Sequence, residues 1–196
     1  MKNRILSVRL SEDERNDQRG DEPAVPDVIL IRNQYPDAAA LHHVLNYVCR
    51  SGMIGGYAVD PVYAFREFML VKSVYQNIDG RQLLHFIVSF STTVAYRLSA
   101  DDMLALGYDI CHLFPEHQVV YALHMDSAHC HLHFAVNSVS FEDGKKHFSG
   151  FHDLFPVRDF LQECFPRSNV HIYQSFPDSD VNRFGCSDDD ELLRID

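Results

Sequence analysis

No stretch of this 196-residue sequence approaches the roughly 20 consecutive apolar positions that a membrane-spanning helix needs, which excludes an integral helical membrane protein. The opening MKNRILSVRLSEDERNDQRG has no apolar core of an export signal, so the expected compartment is the cytoplasm. No CxxC pair is present. Five cysteines (Cys49, Cys111, Cys130, Cys164 and Cys186) lie scattered, an odd number without metal-site spacing. They are expected to be reduced, mostly buried thiols, not a disulfide framework. A basic excess is also missing: 17 Lys and Arg against 28 Asp and Glu leave a net charge of −11, which argues against a general nucleic-acid binder.

The acidity is unevenly spread. Residues 1–25 carry −1, residues 26–175 carry −5 and residues 176–196 carry −5. The long middle segment is therefore only mildly acidic, and one divalent cation would offset two of its charges. Hydrophobic residues at 46% and charged residues at 23% are an ordinary globular balance, which excludes wholesale disorder and a fibrous protein. At roughly 150 residues per domain, the chain reads as a flexible N-terminal extension over 1–25, one folded domain over 26–175 and an acidic, solvated tail over 176–196. Within the extension, RILSVRLSEDE resembles the opening of a small ribbon-helix-helix DNA-binding protein, cut off before its second helix.

Regular patterning starts near residue 27. VILIR (28–32) reads as a strand. Pro36-Asp37 opens an amphipathic helix to about residue 50, with Leu41, Val44, Leu45 and Val48 at helical spacing. SGMIGGY (51–57) reads as a Gly-rich loop. Pro61 suits a first helical position, and Ala64, Phe65, Phe68, Met69 and Val71 recur on one face to about residue 75. LLHFIVSFS (83–91) is a strand. Residues 99–114 form a helix capped by Ser99, with Asp101 and Asp102 in its first turn. VVYALH (119–124) and CHLHFAVNSVS (130–140) pair as a hairpin. A helix near 151–165 and a last strand, NVHIYQSF, complete the order β-α-α-β-α-β-β-α-β. That order predicts an α+β fold with a mainly antiparallel central sheet and helices packed on one face.

The hairpin carries the chemistry. Strand side chains alternate between faces. With Leu132, Phe134 and Val136 in the core, His131, His133, Ala135 and Asn137 take the opposite face. On the partner strand Val119, Tyr121 and Leu123 go to the core, while Val120, Ala122 and His124 join the histidines. The upstream strand adds His85, Ile87 and Ser89 to that face. Three imidazoles converging on an open sheet face make a divalent-metal site with vacant positions for substrate or water. His124, His131 and His133 are the expected ligands, and His85 either backs a ligand or is a bystander. His129 is expected to be exposed. His42, His43, His112, His117, His147, His152 and His171 are expected on the surface or in the core. Three neutral histidines do not select the metal.

The segment His124-x-Asp126-x4-His131-Leu132-His133-x3-Asn137 resembles motif III of the plasmid mobilisation relaxases (MobA/VirD-type), members of the HUH (His-hydrophobic-His) endonuclease superfamily. ILIRNQYPDAAALHHVLNYVCRSG is similar to their motif I. GRQLLHFIVSFS and VNSVSFEDGKKH are similar to the neighbouring stretches, so the resemblance covers about residues 27–150. It implies an HUH relaxase/nickase-like palm and a DNA relaxase that is a strand-specific endonuclease and transesterase. Such an enzyme nicks single-stranded DNA at an origin of transfer through a tyrosine, forms a 5′-phosphotyrosyl intermediate and religates it during conjugative mobilisation. By position, the resemblance makes Tyr47 the nucleophile and His124, His131 and His133 the ligands of Mg²⁺ or Mn²⁺, with Zn²⁺ as an alternative. Asp126 would orient a histidine or help deprotonate Tyr47. Asn137 would back a ligand or face DNA. Ser89 and Arg50 are candidate DNA contacts, and Lys145 and Lys146 candidate phosphate contacts. The implied partners are an accessory relaxosome DNA-binding protein and a coupling protein, in a bacterial cytoplasm.

Relaxases are usually basic, and this chain is acidic. Three other readings therefore stay open: a replication-initiator nickase, a non-catalytic or degenerate DNA-binding relaxosome subunit, and a zinc-dependent hydrolase of a small molecule.

Overall fold

Short polar residues mark where the helices begin. In the computed structural model, which describes residues 26–31, 35–91, 97–125, 130–148 and 150–175, the Asp37 carboxylate accepts from the Ala40 N–H at 2.8 Å. That caps α1 (Ala38–Cys49). Ser99 and Asp102 exchange side-chain and backbone hydrogen bonds in a capping box, which starts α3 (Ala100–Cys111) as expected. Asp60 and Pro61 open a 3₁₀ turn over Pro61–Tyr63, which leads into α2 (Ala64–Val74). A second 3₁₀ turn, Phe151–Leu154, precedes α4 (Phe155–Cys164).

Among the described residues six strands form one sheet: β1 (Pro26–Ile31), β2 (Ile54–Tyr57), β3 (Leu83–Phe90), β4 (Val119–His124), β5 (His131–Asn137) and β6 (Ile172–Ser175). Their spatial order is β2-β4-β5-β3-β1-β6. All neighbours are antiparallel except β1 and β6, which run parallel. The α+β class and the mainly antiparallel sheet are as the sequence predicts.

Two features differ from the expectation. The segment 51–57 is not all loop, because Ile54–Tyr57 pairs with β4 as an edge strand. Four residues with two glycines carry too little alternation to register as a strand. The helices also cover both faces of the sheet. On one face α3 and α4 bury Phe86, Val88, Leu106, Ile110, Phe134 and Leu161 among others. On the histidine face α1 and α2 lay Leu41, Val44, Leu45, Val48, Ala64 and Phe68 over Leu83, Val120, Ala122 and Ala135. The small side chains at 120, 122 and 135 let α1 approach closely. A 12-residue helix is marginal alone in water. Burying four aliphatic side chains, at about 1.5–3 kcal/mol each, is what holds α1 on the sheet.

Among the described residues no helix is long and apolar enough to cross a membrane. Cys49, Cys111, Cys130 and Cys164 are free thiols, and burial raises the pKa of each. Only Cys111 among them is fully buried. Cys186 and the ribbon-helix-helix-like opening lie outside the described residues.

Candidate functional site

His124 ends β4 and His131 begins β5, directly opposite one another in the ladder. His133 follows two positions on and pairs with Ile87 of β3. The three rings share one face, as the alternation requires. One nitrogen from each lies within 4.8 Å of the others, and ring tilts of about 1 Å or less bring such atoms to the separation of ligands bound at about 2.0–2.1 Å. The expected open face is a correction: α1 roofs this end of the sheet, and the side chains of His124, His131 and His133 are 1%, 4% and 1% exposed.

The surroundings orient these rings. The His124 Nε2–H donates to the Val48 carbonyl at 2.8 Å. Val48 lies in the last turn of α1, where carbonyls have no partner within the helix. A carbonyl can only accept, so Nε2 carries the proton and Nδ1 presents its lone pair. Nδ1 of His133 lies 3.1 Å from Nε2 of His85, whose Nδ1 lies 2.7 Å from the Tyr35 hydroxyl. Nε2 of His133 is buried with no hydrogen-bond partner. Burial is the main influence lowering the pKa of His133, helped by His85, His131, His124 and Arg50. Burial and His124 push His85 down to about 3. Neutral imidazoles are the form that binds metal, and a buried, unpartnered ring nitrogen is costly unless something coordinates it. The donor set therefore fits a divalent cation.

Tyr47, half-buried in the last turn of α1, sits against the histidines. Its ring centroid is 5.8 Å from that of His124 and 5.3 Å from that of His133. The Arg50 guanidinium lies 4.5 Å above the same ring. A cation in this position favours an anion nearby, whether a phenolate or a phosphate.

The family described as relaxase, MobA/VirD2-like, nuclease domain, matches residues 42–167. The chain belongs to that family. The match takes in Tyr47, Arg50 and all three histidines of this relaxase domain. Two proteins from Staphylococcus aureus, each called Protein rlx, are similar to it. One is 28% identical over 114 residues, or 58% of this chain and 34% of the relative. The other is 33% identical over 93 residues, or 47% and 29%. The relaxase chain thus spans about a third of the length of the curated relatives it matches. No solved structure matches.

The other sequence-predicted residues of the relaxase domain divide into three groups. Ser89 pairs with His131 on one side and Asp27 on the other, so His124, His131, Ser89 and Asp27 form a row across four strands on one face. Asp126 and His129 lie outside the described residues. Three residues lie away from the histidines. Asn137 is 0% exposed at the far end of β5. Its amide donates to Gln118 at 2.9 Å and its carbonyl accepts from the Val139 N–H, so it neither backs a ligand nor faces DNA. Lys145 pairs with Asp143 at 2.8 Å, and Lys146 donates to the Asp79 carbonyl. Both follow Asn137 in the chain and sit at the opposite end of the sheet from the histidines, beside the Val139–Lys146 bridge. The alternating pattern identified their faces but not their distance along the strand.

Sequence reasoning missed Tyr35 and Asp27. Tyr35 lies outside any periodic element. Asp27 precedes the apolar run that marked β1, and its only signal was period-two spacing with Ile29.

Proposed function

We propose that this relaxase domain nicks and rejoins one DNA strand at an origin of transfer, with Tyr47 as the nucleophile. The observation that carries the reading is the contact of the Tyr47 ring with His124 and His133 beneath the Arg50 guanidinium. Other tyrosines of the described residues are poorer candidates. The Tyr75 hydroxyl donates to the Phe141 carbonyl, the Tyr57 hydroxyl to the Pro115 carbonyl, and Tyr63 is exposed. Tyr35 is buried, and burial raises its pKa.

In the reaction the Tyr47 oxygen forms a bond to the scissile phosphorus and loses its proton to a base, for which Asp126 is the proposed residue. The bond from phosphorus to the 3′ oxygen breaks, and that oxygen takes a proton to leave a 3′-OH. The 5′ phosphate stays on Tyr47 as a phosphodiester. Attack by a 3′-OH reverses the step and restores the strand, the covalent logic of a divided transfer. A divalent cation held by His124, His131 and His133, Mg²⁺ or Mn²⁺ in preference to Zn²⁺, would supply Lewis-acid polarisation of the phosphate. Arg50 balances charge on the phenolate and phosphate, and Ser89 contacts the strand. Residues 26–175 are the proposed working unit, acting in the bacterial cytoplasm. The −11 net charge makes an accessory DNA-binding protein, together with a coupling protein, part of the proposal.

The test mixes the purified chain with labelled single-stranded oligonucleotides spanning candidate transfer origins of its own element, with Mn²⁺ or with EDTA. The expected product is a protease-sensitive covalent adduct on a denaturing gel, absent with EDTA and absent in Tyr47→Phe. A folded, metal-bound protein that forms no adduct with any cognate strand supports a non-catalytic relaxosome subunit instead. Hydrolysis that survives Tyr47→Phe removes the tyrosine mechanism.

A further inference from the structure

His133 differs from His124 in what stands behind it. The nitrogen of His124 remote from the triad meets a backbone carbonyl, which can only accept. The corresponding nitrogen of His133 meets another imidazole, which can accept or donate. Two proton arrangements satisfy the chain from His133 through His85 to Tyr35. In one, His133 carries its proton on Nδ1 and donates to Nε2 of His85, and His85 donates from Nδ1 to the Tyr35 oxygen. In the other, both imidazoles are reversed and His133 directs an N–H from Nε2 toward its two partner histidines. That second arrangement buries an N–H with no acceptor, since Nε2 of His133 has no hydrogen-bond partner, and it removes the lone pair a cation needs.

We propose that Tyr35 and His85 form a directed hydrogen-bond chain that holds His133 in its Nδ1-protonated form, so that His85 is the positioning residue for this metal donor. The inference rests on the metal reading above and deepens it. The chain is well supported mechanically. His85 is buried beside Ala135, its cross-strand neighbour, whose small side chain leaves room for the ring. Tyr35 adopts a left-handed backbone with φ of 40°, an arrangement that costs energy for a non-glycine residue. Its carbonyl accepts from the Gln82 N–H at 2.9 Å, which ties this conformation to the start of β3. A neutral imidazole behind the ligand polarises it less than a carboxylate would. The chain therefore orients the donor without adding negative charge to an already buried site.

The test measures Mn²⁺ binding to the full chain by calorimetry and by electron paramagnetic resonance. His85→Leu, which keeps the bulk but removes the acceptor, is expected to weaken binding by about 10–100-fold. His85→Gln, whose side-chain carbonyl accepts the same N–H, is expected to restore most of it. Tyr35→Phe removes one neutral hydrogen bond further out and is expected to weaken binding by about 2–10-fold. Long-range ¹⁵N–¹H spectra of the metal-free wild type are expected to show the His133 proton on Nδ1, a readout that does not depend on any variant folding. A proton on Nε2 overturns the proposal. So does binding that is lost in His133→Ala yet unchanged in folded His85→Leu, and this result leaves the three-histidine metal site standing. Wild-type protein that binds no Mn²⁺ overturns the metal reading and this inference together.

Discussion

At the scale of residues, the site gives His124 and His133 each a defined hydrogen-bond neighbour, whereas the buried Lys72 has only neutral ones. This side chain is 0% exposed. Its ammonium donates to the Gln82 carbonyl at 2.8 Å and to the Ser138 hydroxyl at 3.1 Å, both neutral groups. Burial, with Lys146 adding to it, pushes Lys72 down to about 7. An unfolded lysine holds its proton to about pH 10.4. Between these values the unfolded chain binds a proton that the folded chain does not, so Lys72 makes stability rise with pH across the window from about 7 to about 10. Below that window the folded state bears the full cost of the buried charge. Denaturant unfolding at several pH values is expected to show this slope in the wild type and a flatter profile in Lys72→Met. An identical profile in both would remove the assignment. The periodic stripe on α2 pointed to Ala64, Phe65, Phe68, Met69 and Val71, and the fully buried line is Ala64, Phe68 and Lys72. A lysine at a core position is invisible to a reading that sorts residues by polarity.

At the scale of elements, edge strand β2 and helix α3 are joined through one aromatic ring. Tyr121 of β4 lies between Gly55 of β2, its ladder partner, and Gly107 of α3. A Cβ at Gly107 would meet the ring at 2.7 Å, and one at Gly55 would overlap it. Both positions need glycine for close approach, and neither has positive φ. Gly107→Ala gains helix propensity, yet overpacking of about 1–3 kcal/mol outweighs that gain. Chemical denaturation is expected to report a net loss of stability, and a stabilised variant would mean that the ring moves aside freely. This explains why SGMIGGY could be read as a loop. Gly55 serves packing against Tyr121, a contact made across 66 residues of chain, and the local sequence carries no trace of it.

At the scale of the whole molecule, the acidic balance sets terms for DNA. Affinity for single strands grows with the number of phosphates neutralised, at a slope of about 0.7 per phosphate in log K against log salt. Arg50 is the basic side chain beside the histidines, while Lys145 and Lys146 are engaged at the other end of the sheet. The isolated chain is therefore expected to bind a cognate strand with a shallow slope, below about 2 in magnitude, measured by fluorescence anisotropy across salt concentrations. A steep slope would require a basic track outside the described residues. The row of His124, His131, Ser89 and Asp27 spans four strands at about 4.8 Å each. The row is polar without being strongly basic, and its histidines are buried beneath α1.

The sequence by itself determined the parts of this protein that depend on short-range periodicity. Alternation along β3, β4 and β5 placed His85, His124, His131 and His133 on one face. The helical spacing of Leu41, Val44, Leu45 and Val48 established α1, and Ser99 with Asp102 marked the start of α3. These follow because strand and helix repeats, and caps, are set within a few residues. Tertiary structure decided what that face became. It laid α1 over the histidines, carried Tyr47 to their edge and turned Asn137 into a buried structural amide. It also set which nitrogen His124 presents, through the Val48 carbonyl 76 residues away, and stood the His85 ring, 48 residues away in sequence, behind His133. Hydrogen-bond partners so distant in sequence leave no periodic mark, because only packing of α1 and β3 against the hairpin brings them within 3.1 Å.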